Sequence, residues 1–123
     1  MLTVYHIDGT VAAMKLEVLF FRTSRGDEPV RGYLEKLALK DTAGLSACIE
    51  RLMTNGFLEM PHGRKMKGYK DLFEIRHGRH RVLYGVKGDV AVLLHAFMKK
   101  SQETPQKEIT MALGRFKLIL GGL

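Results

Sequence analysis

Only two residues, Gly78 and Arg79, separate a β-forming run at 71–77 (DLFEIRH) from another at 80–86 (HRVLYGV). So short a link forces an antiparallel hairpin. A glycine in its first position suits a type II′ turn, where φ must be positive. The link also sets the register: His77 falls opposite His80, and Arg76 opposite Arg81. Side chains alternate between the two faces of a strand. Phe73, Ile75, Val82 and Tyr84 therefore share one face and read as core, while Arg76 and Arg81 share the other. Like charges set directly opposite each other destabilise a sheet by up to about 1 kcal/mol. A purely structural protein gains nothing from that arrangement. An anion site gains two guanidiniums, each able to hold a phosphate through two donors. Solvated arginines splayed apart are the alternative reading.

The charge excess lies in the same stretch. The chain has 123 residues and a formal net charge of +7. Residues 62–100 hold ten Lys/Arg against three acids, Asp71, Glu74 and Asp89, while the rest of the chain balances at ten against ten. A basic surface built on a sheet points to a polyanion, with nucleic acid the commonest. Residues 60–70 (MPHGRKMKGYK) have no helical period and read as a basic loop. His62, Arg64, Lys65 and Lys67 are candidate phosphate contacts there, with a merely solvated loop as the alternative. Arg79 at the hairpin tip joins them, as do His77 and His80, which flank the turn and are expected to be exposed.

Residues 87–89 (KGD) make a second turn, and 90–98 (VAVLLHAFM) is apolar enough to be a central strand. The face of His95 depends on that turn. A three-residue loop places it beside Arg81, and a two-residue loop places it on the core side. Upstream, 15–22 (KLEVLFFR) is a strand. Asp27 offers an N-cap before Pro29, and Val30, Tyr33, Leu34 and Leu37 line one face of a helix. Asp41 or Thr42 caps a second helix, in which Leu45, Cys48, Ile49 and Leu52 repeat the spacing and Gly56 suits the stop. Thr104-Pro105 opens a last helix that buries Ile109, Ala112, Leu113 and Phe116. The order β-α-α-β-β-β-α describes a small α+β domain, an antiparallel-rich sheet with helices packed on one face. One domain over 14–123 is expected, preceded by a weakly patterned extension at 1–13, either an extra strand or an upstream start.

The hydrophobic fraction of 46% and charged fraction of 27% are ordinary for a globular domain. No apolar run is long enough to span a bilayer and no signal peptide is visible, so no membrane partner is expected. Cys48, the one cysteine, cannot form an internal disulfide and falls on an apolar helix stripe. A cytoplasmic protein with a buried thiol is expected.

The histidines show no metal-ligand spacing, the glycines form no phosphate-loop pattern, and no serine–histidine–acid arrangement is suggested. No cofactor and no metal are expected. Arg, Lys and His remain. Such groups stabilise an anionic phosphorane, and a histidine, or a lysine whose pKa is depressed by neighbouring cations, can move protons. Metal-free RNA cleavage fits this inventory, because the RNA 2′-hydroxyl supplies the nucleophile.

Residues 71–115 resemble the phage-derived type of HigB toxin within the RelE/ParE superfamily. LFEIR, HRVLYGV and VLLHAFMKKSQETPQKEI carry the resemblance, with FFRTSRGDEPVRGYLEKL upstream, so that it covers about 15–115. It implies a RelE-like fold and a type II toxin that cleaves messenger RNA in the ribosomal A site without metal. The implied partners are the ribosome, mRNA and a cognate antitoxin with a helix-turn-helix domain. Arg76 and Arg81 match basic strand positions that related nucleases use on the scissile phosphate. Lys99 and Lys100 match the basic pair after the last strand. The resemblance implies that Arg81 stabilises the phosphorane, Arg76 positions it and Lys99 or Lys100 assists the leaving group, with His95 a candidate for proton transfer. Arg79, His77, His80, Arg64, Lys65 and Lys67 become RNA contacts. Glu74 stands where some relatives place a lysine, and 101–107 lacks the tyrosine that some carry, so acid and base roles do not transfer. A DNA gyrase poison on the same scaffold, which does not need the basic face, and a non-toxic RNA- or partner-binding module are the alternatives.

Overall fold

The computed structural model describes residues 2–4, 15–100 and 104–122. Six strands and three helices follow the order β1 (Leu2–Val4), β2 (Glu17–Phe21), α1 (Pro29–Glu35), α2 (Leu39–Asn55), β3 (Gly63–Lys65), β4 (Leu72–His77), β5 (His80–Lys87), β6 (Val90–Met98) and α3 (Gln106–Gly122). They form one mixed sheet in the order β1-β2-β6-β5-β4-β3. β6 is central as expected, parallel to β2 and antiparallel to β5.

One strand, β3, goes beyond the sequence reading, while β1 falls in the extension for which an extra strand is one of two alternatives. The basic loop contains β3, which pairs with β4 and sets Arg64 opposite Glu74. Leu2–Val4 pair antiparallel with β2; the rest of the expected extension, from residue 5, lies outside the described residues.

The expected α+β class holds, but the helices do not share one face. α1 and α2 cover one side, where Val30, Leu34, Leu45, Ile49 and Leu52 pack on Val18, Phe20, Ile75, Val82, Tyr84 and Leu93. α3 covers the other side, where Ile109, Ala112, Phe116 and Ile119 pack on Phe21, Leu72, Leu83, Val92, Leu94 and Phe97. The reason lies in β6. Ala91 and Leu93 enter the first core, and Val92, Leu94 and Phe97 enter the second. A strand apolar on both faces needs cover on both. Gly85 lets α3 approach, since a Cβ there would lie 2.6 Å from Phe116 Cζ.

The helix starts also differ from expectation. α1 is capped by Glu28 rather than Asp27, and α2 starts after Ala38, neither with a side-chain cap bond. Thr42 is inside α2, and its hydroxyl donates backward to the Leu34 carbonyl at 3.0 Å. Asp41 sits in the first turn of α2, where a negative charge suits the helix dipole. Gly56 ends α2 at φ +86°, as expected.

Candidate nucleic-acid site

The hairpin register is the one the two-residue link dictates, with Arg76 opposite Arg81 and His77 opposite His80. Gly78 takes φ +57°. Arg76 and Arg81 therefore lie on the α3 side of the sheet, and they are not splayed into solvent. Glu74 shares their face, is fully buried, and presents Oε1 to three guanidiniums. Arg64 Nε lies 3.1 Å from it, Arg76 Nε 3.8 Å and Arg81 Nε 3.8 Å. Glu74 Oε2 accepts a 2.8 Å hydrogen bond from the Thr104 hydroxyl. The buried Nε atoms of Arg76 and Arg81 have no hydrogen-bond partner.

The three arginines differ in reach. Arg81 is recessed, its side chain 8% exposed against 25% for Arg76 and 37% for Arg64. Its Nη1 donates to the carbonyls of Gly78 at 2.7 Å and His80 at 2.9 Å, which fixes it across the turn. Burial pulls the Arg81 guanidinium below the ordinary arginine range; Glu74 pushes it back up, and Arg76 and Arg64 pull it down. Lys99 follows β6 and donates its backbone N–H to the Arg79 carbonyl at 2.7 Å. Burial lowers the Lys99 ammonium pKa, and Arg81, Arg76 and Arg64 lower it further against the pull of Glu74. Lys100 is exposed beside it. One carboxylate thus sits among three arginines and a nearby lysine, leaving a strong local excess of positive charge.

His95 reaches this face by a route that neither loop length alone foresaw. The second turn is a two-residue link, with Lys87 opposite Val90. Unbroken pairing from there would put His95 on the core side. An irregularity between Leu83 and Tyr84 shifts the register by one, so that His95 pairs with Leu83 on the arginine side. Both ring nitrogens are engaged. Nε2 is 3.0 Å from Glu108 Oε1, and Arg115 Nη1 is 3.3 Å from Nδ1. Arginine can only donate and an ionised glutamate only accept, so the neutral Nε2–H form satisfies both. Arg115 also donates to the Leu94 carbonyl at 2.7 Å, and burial pulls its guanidinium pKa down.

The remaining candidates disperse. His77 and His80 occupy the opposite face, toward α1 and α2. His80 is buried, correcting the expectation of an exposed hairpin tip. Its Nδ1 lies 2.7 Å from the Tyr33 hydroxyl. Asp41 stands between the two rings, 3.4 Å from His77 Nε2 and 3.6 Å from His80 Nε2. Burial, and then Asp41, raises the Tyr33 pKa. Lys65 is exposed and donates to the Tyr69 carbonyl at 3.1 Å; Lys67, Arg79 and His62 are exposed. Sequence reasoning passed over Glu74 as a counter-ion and Thr104 as its partner. Strand parity was the available signal, since Glu74 and Arg76 are two apart and must share a face.

This is a small α+β domain whose mixed sheet presents a clustered cationic face built around one buried acid. Residues 32–117 match the family model described as Phage derived protein Gp49-like (DUF891). The chain belongs to that family, a toxin-like family related to toxins of the RelE and HigB types, which generally act opposite an antitoxin. No curated protein matches it. Among the described residues, no helix is long and apolar enough to cross a membrane.

Proposed function

We propose that this protein is the toxin of a type II toxin–antitoxin pair and cleaves messenger RNA on the ribosome, in the A site, until a cognate helix-turn-helix antitoxin silences it. The observation that carries the reading is the pairing of Arg76 with Arg81 across the hairpin, with Arg64 on the same face, which gathers three guanidiniums at one place on the sheet. Family membership supports the toxin half of the proposal.

In this reading the RNA 2′-oxygen attacks the adjacent phosphorus, and the P–O5′ bond breaks as the P–O2′ bond forms. The 2′-hydroxyl proton passes to solvent water, and the departing 5′-oxygen takes one up from Lys99. Arg76, the more accessible of the facing pair, contacts the non-bridging oxygens as charge builds on them. Arg81 adds a second positive charge from below. Donors fixed in advance where charge develops are effective because they need not reorganise during the reaction. Lys99, whose ammonium gives up its proton more readily than a free lysine, protonates the 5′-oxygen. Lys100, Arg64, Arg79, Lys65 and Lys67 hold the strand through its phosphates. His95 is held by Glu108 and Arg115 and acts as a strut rather than a proton carrier. His77 and His80, on the far face, take no part in the chemistry.

The test is to add the purified protein to ribosomes programmed with a defined message, in a magnesium buffer that keeps the ribosome assembled, and to map the new 5′ ends. Cuts within the A-site codon that leave a 5′-hydroxyl are the expected result. Intact messages together with double-strand DNA breaks in induced cells would overturn it in favour of a gyrase poison.

A further inference from the structure

We infer that Glu74 is the positioning residue of the cationic face: its carboxylate sets the spacing of Arg64, Arg76 and Arg81, and Thr104 locks that carboxylate from the start of the last helix. The inference rests on the nuclease reading for its catalytic consequence and on the geometry alone for its structural one.

An acid at the centre of an anion site needs a reason. Glu74 subtracts a charge from the face that is to hold a phosphate, and nucleic-acid affinity falls with each positive charge removed. It is also fully buried and cannot reach a substrate. Any role must therefore pass through its neighbours. Its two oxygens divide the work. Oε1 faces the guanidiniums of Arg64, Arg76 and Arg81. Oε2 accepts from the Thr104 hydroxyl at 2.8 Å. The same hydroxyl oxygen lies 3.5 Å from Arg64 Nη2 as acceptor. Donating to the acid and accepting from the arginine, Thr104 closes a ring of contacts around the carboxylate.

Without Glu74, guanidiniums on one sheet face repel, and each turns toward water. With it, they share one anchor, and Arg76 and Arg81 stand the same 3.8 Å from one oxygen. A catalytic donor displaced by about 1 Å can cost roughly a hundredfold in rate. Spacing is thus worth more to the reaction than the one unit of charge that Glu74 removes. Thr104 lies two residues before α3 begins, so the segment that leads into the last helix is tied to the hairpin through this acid, in addition to the packing of α3 on the sheet.

The test uses Glu74→Gln and Thr104→Val in the full chain, with three readouts. Glu74→Gln keeps size and removes charge. Its affinity for a single-stranded RNA oligonucleotide should hold or rise, while kcat on programmed ribosomes falls roughly 10- to 100-fold. Thr104→Val should act in the same direction and less strongly. The Nε–H resonances of Arg64, Arg76 and Arg81 should be sharp and distinct in the parent and averaged in Glu74→Gln. Full cleavage by Glu74→Gln with tighter RNA binding would overturn the inference, because the carboxylate would then be a charge and no more. A loss of kcat that merely follows a loss of RNA binding would overturn it too. Should Glu74→Gln fail to fold, Thr104→Val decides by the same readouts. Should the parent protein cut no RNA, the nuclease reading fails by itself. The positioning claim is then judged on the arginine resonances, and order retained in both variants overturns it.

Discussion

Arg76 and Arg81 stand directly opposite each other on neighbouring strands, and each holds its Nε 3.8 Å from the same oxygen of Glu74. The repulsion implied by their register is thus offset at one point by a buried acid rather than dissipated in solvent. The two arginines nevertheless differ in how they are held. Arg81 bridges the turn through two carbonyl bonds. Arg76 makes one long contact, to Met60 Sδ at 4.0 Å.

That difference separates chemistry from stability. Arg76→Ala should cut RNA cleavage by about 100- to 1000-fold, as removal of one pre-placed donor does. Its thermal stability should fall less than that of Arg81→Ala, because Arg76 is the more exposed of the pair. Arg81→Ala should lose activity as well, but it also leaves two carbonyls and Glu74 short of a partner and should cost about 1–3 kcal/mol. Viability after induction, read beside melting curves, checks both. A fully toxic, folded Arg76→Ala protein would remove Arg76 from the site.

The exposed lysine should report on RNA grip rather than on chemistry. Counterion release makes the log of affinity fall linearly with the log of salt, by about 0.7 per neutralised phosphate on a single strand. Lys100→Ala should lower that slope by about 0.7 and weaken every sequence alike. His80→Ala, altered on the far face, should leave the slope unchanged. Fluorescence anisotropy of a labelled RNA oligonucleotide across a salt series measures both.

How far the molecule was legible in its sequence depends on how local the deciding interactions are. The register of Arg76 against Arg81 followed from a two-residue turn, because such a turn leaves the strands no freedom to slip. The buried stripes of α1, α2 and α3 followed from periodicity. What was missed rests on distant partners. β3 is three residues long, and only its pairing with β4 makes it a strand. His95 reaches the arginine side through one irregularity in a ladder that the sequence alone gives no reason to break. The buried state of His80 depends on Tyr33 and Asp41, 47 and 39 residues away. The second helical layer was legible after all, in a β6 apolar on both faces, but a two-layer sandwich was the simpler reading.

The seating of α3 can be tested at Gly85. A Cβ there meets Phe116 Cζ at 2.6 Å, so the ring or the backbone must shift to admit it. Gly85→Ala should therefore cost about 1–3 kcal/mol, the usual penalty for overfilling a packed core. Phe116→Leu in the same chain should return part of the loss. Urea unfolding midpoints of the single and double variants give the coupling directly. A Gly85→Ala protein as stable as the parent would mean that α3 is not pressed on the sheet at this point.

The alkaline limit of stability should be set by the phenols. Burial raises the Tyr84 pKa far above the ordinary value of 10, and burial followed by Asp41 raises that of Tyr33. A phenol whose folded pKa is raised contributes stability that is complete below pH 10. Above that pH the unfolded chain releases the proton while the folded chain keeps it, and the contribution is lost as pH climbs toward the folded value. Lys99 works in the opposite sense, because its folded pKa lies below the ordinary 10.5. Its protonated form is the disfavoured one in the fold, so stability rises with pH in the window just under 10.5. The two effects separate by mutation. Tyr84→Phe should move the alkaline unfolding midpoint upward, and Lys99→Met should flatten the rise that precedes it. In a pH jump to about 11, absorbance at 295 nm should show the Tyr84 phenolate appearing only as fast as the chain unfolds. Immediate ionisation of every tyrosine, with the fold intact, would contradict the burial of Tyr84 against Phe73, whose ring it stacks on at 5.3 Å.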